Sequence, residues 1–350
     1  MINTDILIIG AGPTGLFTVF EAGLLKLRCH LIDSLPIPGG QCSEIYSKKP
    51  IYDIPSRPEI LAGDLVNKLL EQIKPFDPTY TLGEKVLKMD KISENEFIVT
   101  TNKGTKVKSS IIVIAGGLGC FEPRKLLINN IENYEGRGVD YIIKDPEKYN
   151  DKKVVIAGGG DSALDWIIFL SDRVNSLTLV HRRNEFRGAP DSVKKVQSLK
   201  NKGIIDVITP AEITSIKGED KLTELSIKRD DIITNVNTDY FIPLFGLTPK
   251  LGPLSNLGLE IENNFIKVNN SLDYQTNIPG VYAIGDINTY PGKLKLILCG
   301  FHEATLMCQS AFKRIHPNKK NILKYTTVTG IHGFDGSIKE SPKSTIKAIK

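Results

Sequence analysis

The residues best suited to chemistry lie in two glycine-rich turns, the first of them near the amino terminus. Gly10-x-Gly12-x-x-Gly15 follows a strand-like apolar run, residues 5–9, and opens a helix-like stretch. In this spacing the first glycine permits a tight turn, the second lets a pyrophosphate approach the backbone, and the third lets helix pack on strand. The helix start then offers N–H groups and the positive end of its dipole to an anion.

An acidic residue follows this turn at the position expected for a dinucleotide site. Asp33 ends the next strand-like run and lies 21 positions after Gly12, where a carboxylate accepts hydrogen bonds from a ribose hydroxyl. Pro13 and Thr14 complete the turn and join the candidate binding residues. Glycine turns also occur for packing alone, but the strand, the helix and the acid together favour dinucleotide binding.

A second turn repeats the pattern with a different sequel. Gly158, Gly159 and Gly160 follow the β-branched run 153–157 and are followed by Asp161 and Ser162. No acid stands at the ribose position of this unit. Three arginines, which can clamp a 2′-phosphate with forked hydrogen bonds, follow its second strand: Arg182, Arg183 and Arg187. This predicts NADP rather than NAD; the alternative is a solvated basic turn.

A third motif lies near the carboxyl terminus. Residues 276–286 end in Ile284-Gly285-Asp286, where a strand delivers an aspartate able to accept bonds from flavin ribityl hydroxyls. Gly300 then opens a helix to residue 315, whose positive end would stabilise a reduced flavin. One unit for a free ribose and one for a phosphorylated ribose indicate FAD and NADPH.

Composition and charge exclude several other classes of protein. A chain of 350 residues suggests roughly two domains. The net charge of +5 is too small to indicate a nucleic-acid partner, and no apolar run reaches the ~18 residues of a membrane span. Five cysteines, an odd number without Cys-x-x-Cys spacing, predict buried thiols in a reducing cytoplasm. The histidines show no metal-ligand spacing, so no metal site is predicted.

Alternating strand-like and helix-like stretches predict an α/β fold of two Rossmann-like, three-layer domains. The strand-like runs are residues 28–32, 96–100, 110–115, 176–180 and 280–284. The helix-like stretches are residues 57–73, 162–170, 191–201 and 301–315. Glycine clusters near residues 116 and 246 place an NADPH domain, 117–247, inside an FAD domain made of 1–116 and 248–350, with a carboxyl-terminal extension from about residue 316.

The order of these motifs, with Gly39-Gly40-Gln41 between the first and second, resembles the thioredoxin-reductase-like flavoproteins over residues 1–315. Within that group the chain is most similar to the bacterial ferredoxin–NADP reductases. The resemblance implies an FAD domain with an inserted NADPH domain, a homodimer, and ferredoxin or flavodoxin as the electron partner. It also implies Gln41 among the FAD-binding residues.

The cysteine pattern separates this chain from its dithiol-containing relatives. Thioredoxin reductases carry Cys-x-x-Cys before the second glycine turn, whereas residues 138–145 contain no cysteine. Glutathione-reductase-like enzymes carry Cys-x4-Cys after the Gly-Gly turn; Cys42 matches the first position, but Ser47 stands at the second. A lone thiol cannot cycle as an internal dithiol. Electrons are therefore expected to leave the flavin directly, one at a time.

The resemblance also assigns residues around the flavin ring. Tyr46 is expected to stack on one face, Tyr325 to cover the other, and Thr326 to approach N5. Thr327 of the same segment joins the FAD-binding residues. Asp53 is either a hydrogen-bonding partner of the flavin edge or a structural turn acid.

The predicted activity is hydride transfer between NADPH and FAD, followed by one-electron transfer to ferredoxin or flavodoxin. The alternatives are an NADPH-dependent oxidoreductase acting on a disulfide protein or a quinone, and a non-catalytic flavoprotein sensor. Lysines near the flavin would steer an acidic ferredoxin, or else are ordinary solvated charges; the candidates are Lys48, Lys49, Lys293 and Lys295.

Overall fold

The computed structural model of the chain divides into two compact units. One consists of residues 1–120 and 249–350, and the other of residues 121–248. The structure describes residues 1–119, 122–248, 251–269, 272–319, 326, 330–334, 336 and 338–339.

Strands and helices alternate along much of the chain. The strands of the main sheets are β1 (Ile2–Ile9), β2 (Cys29–Asp33), β3 (Thr79–Leu82), β4 (Val86–Ser93), β5 (Glu96–Thr101), β6 (Lys106–Ile114), β7 (Lys153–Ala157), β8 (Ser176–Val180), β9 (Asp206–Ile208), β10 (Glu212–Gly218), β11 (Leu222–Arg229), β12 (Ile232–Asn237), β13 (Tyr240–Pro243) and β14 (Val281–Ala283). The longer helices are α1 (Pro13–Leu24), α2 (Ala62–Ile73), α3 (Asp161–Leu170), α4 (Pro190–Asn201) and α5 (Ile297–Ile315).

The first unit is built on a sheet with the strand order β3-β2-β1-β6-β5-β4. Strands β1, β2, β3 and β6 run parallel, and β14 pairs in parallel with the end of β6. Strands β4 and β5 extend it as an antiparallel pair. Ile6, Leu7 and Ile8 of β1 are fully buried, as a continuous apolar run in a parallel strand requires.

The second unit contains a parallel sheet with the order β9-β8-β7-β13. Between β9 and β13 the chain forms a separate antiparallel meander with the strand order β10-β11-β12. At the ends of this unit, Glu122–Pro123 and Leu247–Thr248 pair antiparallel, so the entering and leaving segments run side by side.

The helices differ from the sequence expectation mainly at their starts. Helix α2 begins at Ala62 rather than at residue 57, because Ile60–Leu61 pairs with Pro50–Ile51 as a short antiparallel ribbon. Helix α5 begins at Ile297, a turn earlier than residue 301. The buried residues of α2 form one apolar face at helical spacing: Ala62, Leu65, Val66, Leu69 and Ile73.

Within the described part of the chain, the helices lack the length and apolar character needed to cross a bilayer. Over the same residues, histidine, cysteine and carboxylate side chains form no group able to ligate a metal ion. The described cysteines, Cys29, Cys42, Cys299 and Cys308, are free thiols.

Candidate functional site

The first glycine turn joins β1 to α1 and is packed tightly at two of its three glycines. A Cβ atom on Gly10 would lie 2.4 Å from the carbonyl oxygen of Ala115, and one on Gly15 would lie 2.0 Å from the carbonyl oxygen of Gly10. A Cβ atom on Gly12 would meet nothing within 4 Å. Gly10 and Gly15 therefore bring strand and helix together, while Gly12 borders open space that a ligand can enter.

The start of α1 carries no competing negative charge. Gly12 is the N-cap residue and Pro13 the first helical residue, and neither a capping side chain nor an acidic residue occupies the first turn. The N–H groups and the dipole of such a helix end favour an anion. This part of the structure fits a pyrophosphate.

The carboxylate of Asp33 is held against the glycine turn. Its Oδ2 accepts a hydrogen bond from the Ala11 N–H at 2.6 Å, and its Oδ1 accepts one from the Leu35 N–H at 2.9 Å. Burial raises the pKa of Asp33, and these backbone bonds oppose the rise. A carboxylate can accept about four hydrogen bonds, so with backbone bonds from Ala11, Leu35 and Ser34 it keeps accepting capacity for a ligand hydroxyl.

The Gly39–Gly40 turn of the same unit packs against the first glycine turn. The Gly39 N–H donates to the Ala11 carbonyl oxygen at 2.8 Å. Gly40 has φ = +56°, and a Cβ atom there would lie 3.3 Å from the Cα atom of Gly12. Gln41 begins the short helix that follows, and its Nε2 atom lies 3.6 Å from the position of a Cβ atom on Gly117. The Gly-Gly-Gln segment thus forms one wall beside the open face at Gly12.

The buried Cys42 lies close to the half-buried Tyr46 and Asp286 in the same unit. Cys42 is 2% exposed and its thiol shares a hydrogen bond with the Tyr46 hydroxyl. Burial, with the charge of Asp286, raises the pKa of Cys42 to about 11. Burial also raises the pKa of Tyr46 above its usual value. At neutral pH Cys42 is therefore a protonated thiol and a poor nucleophile.

The Gly285–Asp286 turn contacts the glycine turn through Thr14. Gly285 has φ = +75°, and a Cβ atom there would lie 3.1 Å from Thr14 Oγ1. A Cβ atom on Gly300, in the first turns of α5, would lie 2.3 Å from the same oxygen. Burial raises the pKa of Asp286, and the nearby Lys293 ammonium opposes the rise. Thr14 of the first glycine turn therefore contacts both the Gly285–Asp286 turn and the start of α5, which the sequence analysis identified as separate motifs.

A buried carboxylate that the sequence analysis missed supports this turn. Glu303, on α5, is 0% exposed, and its Oε2 accepts hydrogen bonds from the Gly285 N–H at 2.6 Å and from Asn288 Nδ2 at 3.0 Å. Its Oε1 accepts the Tyr290 hydroxyl at 2.8 Å and also pairs with the Lys293 ammonium. The only sequence signal was an acid inside the motif Gly300-Phe301-His302-Glu303-Ala304.

The lysine expectation is wrong for Lys293. Its side chain is 6% exposed and forms an ion pair with Glu303, so it is neither a steering charge at the surface nor a solvated one. Lys295 is exposed, with its Nζ atom 3.4 Å from the centre of the Phe265 ring. Lys48 is exposed and Lys49 half-buried. Local sequence cannot distinguish these lysines, because Lys293 is buried by a residue from a later helix.

The second glycine turn joins β7 to α3 in the second unit. A Cβ atom on Gly158 would lie 2.7 Å from the Leu244 carbonyl oxygen, and one on Gly159 would lie 2.2 Å from the His181 ring. A Cβ atom on Gly160, the N-cap residue of α3, would meet nothing within 4 Å. The arrangement matches that of the first turn, with packed glycines and one glycine beside open space.

The three predicted arginines are exposed and lie around this turn. The Arg187 N–H donates to the Gly159 carbonyl oxygen at 2.7 Å. Burial lowers the pKa of His181, and the charges of Arg187, Arg182 and Arg183 lower it further. Arg182 and Arg183 directly follow His181, whose ring packs on Gly159, so together with Arg187 they lie near the second glycine turn.

Asp161 and Ser162 occupy the first turn of α3 and are both exposed. Asp161 Oδ1 accepts a hydrogen bond from the Ala189 N–H at 2.7 Å. Together with the bond from Arg187 to Gly159, this contact closes the arginine-bearing loop onto the glycine turn. The structure therefore gives Asp161 a contact to the protein itself, which the sequence did not indicate.

The carboxyl-terminal segment is described in part. Tyr325 and Thr327 lie outside the described residues. Thr326 is exposed, and its carbonyl oxygen accepts the Gly330 N–H at 2.8 Å. Farther on, the Phe334 N–H donates to the Pro75 carbonyl oxygen at 2.7 Å.

The segment around Phe334 docks where strands of the first sheet begin. The Phe334 ring lies 4.6 Å from the Arg28 guanidinium, and Lys26 Nζ donates to the His332 carbonyl oxygen at 2.6 Å. Because Arg28 directly precedes β2, this is the amino-terminal edge of the sheet. The first glycine turn lies at the opposite, carboxyl-terminal edge of this sheet.

The structure thus gathers two groups of predicted residues. At the carboxyl-terminal edge of the first sheet it places Gly10, Gly12, Pro13, Thr14, Gly15, Asp33, Gln41, Tyr46 and Asp286. In the second unit it places together Gly158, Gly160, Asp161, Ser162, Arg182, Arg183 and Arg187. Asp53 is exposed, and no described contact joins it to the first group.

Two α/β units, each with a packed glycine turn between a parallel strand and a helix, define a dinucleotide-binding class of protein, and comparison with known proteins agrees. The sequence profile of the pyridine nucleotide-disulphide oxidoreductases matches residues 4–305. The chain belongs to this family. The resemblance to its ferredoxin–NADP reductase members is confirmed by full-length relatives.

Those relatives are named ferredoxin–NADP reductase. One, from Flavobacterium johnsoniae, is 66% identical over 349 residues, covering 100% of both chains. Another, from Christiangramia forsetii, is 65% identical and also covers 100% of both. A third, from Bradyrhizobium sp., is 49% identical over 93% of this chain and 95% of its own.

Solved structures support the fold. The thioredoxin reductase of Lactococcus lactis superimposes with a TM-score of 0.76 at 25% identity, covering 89% of this chain and 99% of its own. That of T. acidophilum gives a TM-score of 0.77 at 22% identity with the same coverage. The predicted Rossmann-like α/β fold is confirmed.

Proposed function

We propose that this protein is an FAD-dependent ferredoxin–NADP⁺ oxidoreductase. The observation that carries the proposal is the pairing of two glycine turns, one with an acid and one with arginines, in a chain without a redox-active cysteine pair. The full-length relatives named ferredoxin–NADP reductase support the same activity.

The unit formed by residues 1–120 and 249–350 is the proposed FAD domain. The open face at Gly12 and the uncapped start of α1 suit the pyrophosphate, Asp33 suits the ribose, and Asp286 suits the ribityl chain. One buried acceptor in this region, Asn288 Oδ1, has no partner among the described residues. The residues present therefore fit the cofactor.

The unit formed by residues 121–248 is the proposed NADPH domain. Gly160 leaves its side of the turn open, and the exposed Arg182, Arg183 and Arg187 supply a cluster of forked cations for a 2′-phosphate. Asp161 holds the loop that bears Arg187 through the bond from Ala189. Ser162, exposed in the first turn of α3, completes the proposed contacts.

When bound, FAD accepts a hydride from NADPH and releases single electrons to ferredoxin or flavodoxin. The protein's residues bind, orient and shield these groups. Tyr46, held by the Cys42 thiol, offers a fixed ring for stacking. Tyr325, Thr326 and Thr327 are the proposed counterparts on the other face.

The alternative of a disulfide-reducing enzyme is disfavoured by the burial and the raised pKa of the Cys42 thiol. Cys42 is 2% exposed, its pKa is raised to about 11, and Ser47 stands where a second cysteine would be needed. A quinone or diaphorase-type acceptor remains a second candidate, because such acceptors also take electrons directly from a flavin. A flavoprotein sensor would not need the arginine cluster at the second turn.

A homodimer is part of the proposal, and the carboxyl-terminal segment supports it. The Gly330 N–H donates to the Thr326 carbonyl oxygen, and the segment from residue 331 docks at the amino-terminal edge of the sheet. Strand β1 has eight residues, which separates the two edges by about 25 Å. We infer that residues 325–327 serve the flavin of a second subunit. A cytoplasmic location is also proposed, in keeping with the unpaired cysteine pattern.

The direct test is anaerobic reduction of ferredoxin by the purified protein with NADPH, run beside thioredoxin and a quinone. Reduction of ferredoxin supports the proposal. If ferredoxin is not reduced but thioredoxin or the quinone is, the corresponding alternative is correct. If FAD is bound but NADPH fails to bleach it, the protein is the flavoprotein sensor.

A further inference from the structure

We propose that Glu303, acting with Lys293, is a positioning residue that holds the Gly285–Asp286 turn in its FAD-binding conformation before the cofactor arrives. The inference rests on the proposed FAD function of the first unit. It concerns residues that the sequence motifs do not assign to the cofactor.

The geometry around Glu303 is unusually complete for a buried acid. Its two carboxylate oxygens accept hydrogen bonds from four groups on the segment 285–293, namely Gly285 N–H, Asn288 Nδ2, the Tyr290 hydroxyl and the Lys293 ammonium. A carboxylate has about four lone-pair positions, so its accepting capacity is filled. One residue of α5 thereby fixes the whole segment that follows β14.

The pair is a poor choice for stability alone. Glu303 is 0% and the Lys293 side chain 6% exposed, so both charges have lost their hydration. Buried ion pairs of this kind are often no better for stability than apolar residues of similar volume. Their hydrogen bonds are directional, however, and here the Gly285 N–H donates to Glu303 at 2.6 Å. Fixing that turn is the contribution an apolar pair could not make.

The turn held by Glu303 reaches the proposed cofactor site at two places. Gly285 lies against Thr14 of the first glycine turn, 3.1 Å from a Cβ position to the Thr14 oxygen. The next residue, Asp286, is the proposed ribityl acceptor. The Lys293 ammonium also favours the charged form of Asp286, against the effect of burial. Loss of Glu303 would therefore release the turn that bears the acceptor, and loss of Lys293 would favour the neutral form of Asp286.

The test uses the full-length protein, freed of FAD by a chaotrope and reconstituted. The variants are Glu303→Gln, Lys293→Met and the double variant. Dissociation constants for FAD come from fluorescence titration, and Tm is measured with and without FAD. We expect each single variant to raise the Kd for FAD by about tenfold or more, and the double variant to raise it by less than the product of the two.

The matched control is Ser109→Ala. Ser109 is 2% exposed and hydrogen-bonds the Leu7 N–H within the same sheet, away from the glycine turns. This variant should lower Tm while leaving the Kd for FAD unchanged. Tyr290→Phe removes only one donor to Glu303, and serves if a charge variant fails to fold; we expect a rise in Kd of about threefold.

The outcomes separate the two proposals. Variants that lower Tm as Ser109→Ala does, with an unchanged Kd for FAD, overturn the positioning role and leave the proposed function intact. A wild-type chain that binds no FAD overturns both.

Discussion

Asp33 and Ala11 are joined across the first sheet by a hydrogen bond of 2.6 Å from the Ala11 N–H to the Asp33 carboxylate. The bond links the end of β2 to the glycine turn after β1. The residue proposed to bind the ribose thus also fixes the turn proposed to bind the pyrophosphate, so the two contacts should fail together.

Replacing Asp33 should weaken FAD binding more than loss of one ribose contact would explain. We expect Asp33→Ala to raise the Kd for FAD by about a hundredfold, since a charge-assisted bond contributes about 1.5–3 kcal/mol and the turn is also released. Asp33→Asn keeps an acceptor for Ala11 and should fall between. Asp5→Ala is the matched control, because Asp5 accepts the Arg28 N–H at 2.8 Å at the other end of the strands. Equal effects of Asp33→Ala and Asp5→Ala would contradict the assignment.

Asp161 should act on NADPH binding through the loop it holds. Asp161→Ala releases the Ala189 N–H, and we expect the KM for NADPH to rise by about tenfold with little change in kcat. Asp239→Ala is the control, because Asp239 makes a similar bond of 2.8 Å to the Lys153 N–H at the start of β7. Both variants are measured by steady-state kinetics with varied NADPH. An equal rise in the KM for NADPH in Asp239→Ala and Asp161→Ala would refute the loop's role.

The arginine cluster should select the phosphate. Arg182→Ala combined with Arg183→Ala is expected to raise the KM for NADPH by about a hundredfold and to change the KM for NADH little, because only NADPH carries the 2′-phosphate. Arg173→Ala, which removes an exposed arginine packed on Phe169 in the same unit, is the control. Parallel losses with both nucleotides would exclude a phosphate clamp.

Acid should destabilise the first unit through His30. His30 is 1% exposed between the Thr79 and Thr81 hydroxyls, and burial lowers its pKa because the imidazolium is disfavoured. The unfolded chain therefore takes up a proton, below pH of about 6.5, that folded His30 does not. Hence the free energy of unfolding should be unaffected by His30 above that pH and fall as the pH decreases below it.

Urea unfolding measures this dependence. The range of about pH 5 to 8 extends roughly 1.5 pH units on either side of the ordinary histidine pKa. His30→Gln should reduce the slope on the acid side. His302→Gln, which removes an exposed histidine of α5, serves as the control. An acid slope in His30→Gln as steep as in the wild type would show that His30 does not carry the effect.

Local patterns were enough to predict the glycine turns, most of each helix and the parallel strands β1, β2, β6, β7, β8 and β14. The parallel strands β3, β9 and β13, of three or four residues each, were missed. Gly10, Gly15 and Gly158 occupy positions where a Cβ atom would collide with backbone, so spacing alone revealed them. Strands β10, β11 and β12 were missed because this antiparallel meander is half exposed and carries polar residues between apolar ones. A continuous apolar run, the signal that identifies a parallel strand, is absent there.

The support of the cofactor turn could not be predicted for a different reason. Lys293 and Glu303 are ten positions apart, and their burial depends on how α5 packs against the segment after β14. Charged residues are usually exposed, so an expectation from sequence placed Lys293 at the surface. Tertiary contact, rather than residue type, decided its environment.

The central claim is that electrons pass from NADPH through FAD to an external carrier without any protein thiol. The most direct measurement is anaerobic reduction of ferredoxin by NADPH, using protein whose thiols have been alkylated, with thioredoxin as the parallel acceptor. We expect ferredoxin to be reduced at the same rate before and after alkylation, and thioredoxin not to be reduced. Loss of ferredoxin reduction on alkylation, or thioredoxin reduction by the untreated protein, would contradict the claim.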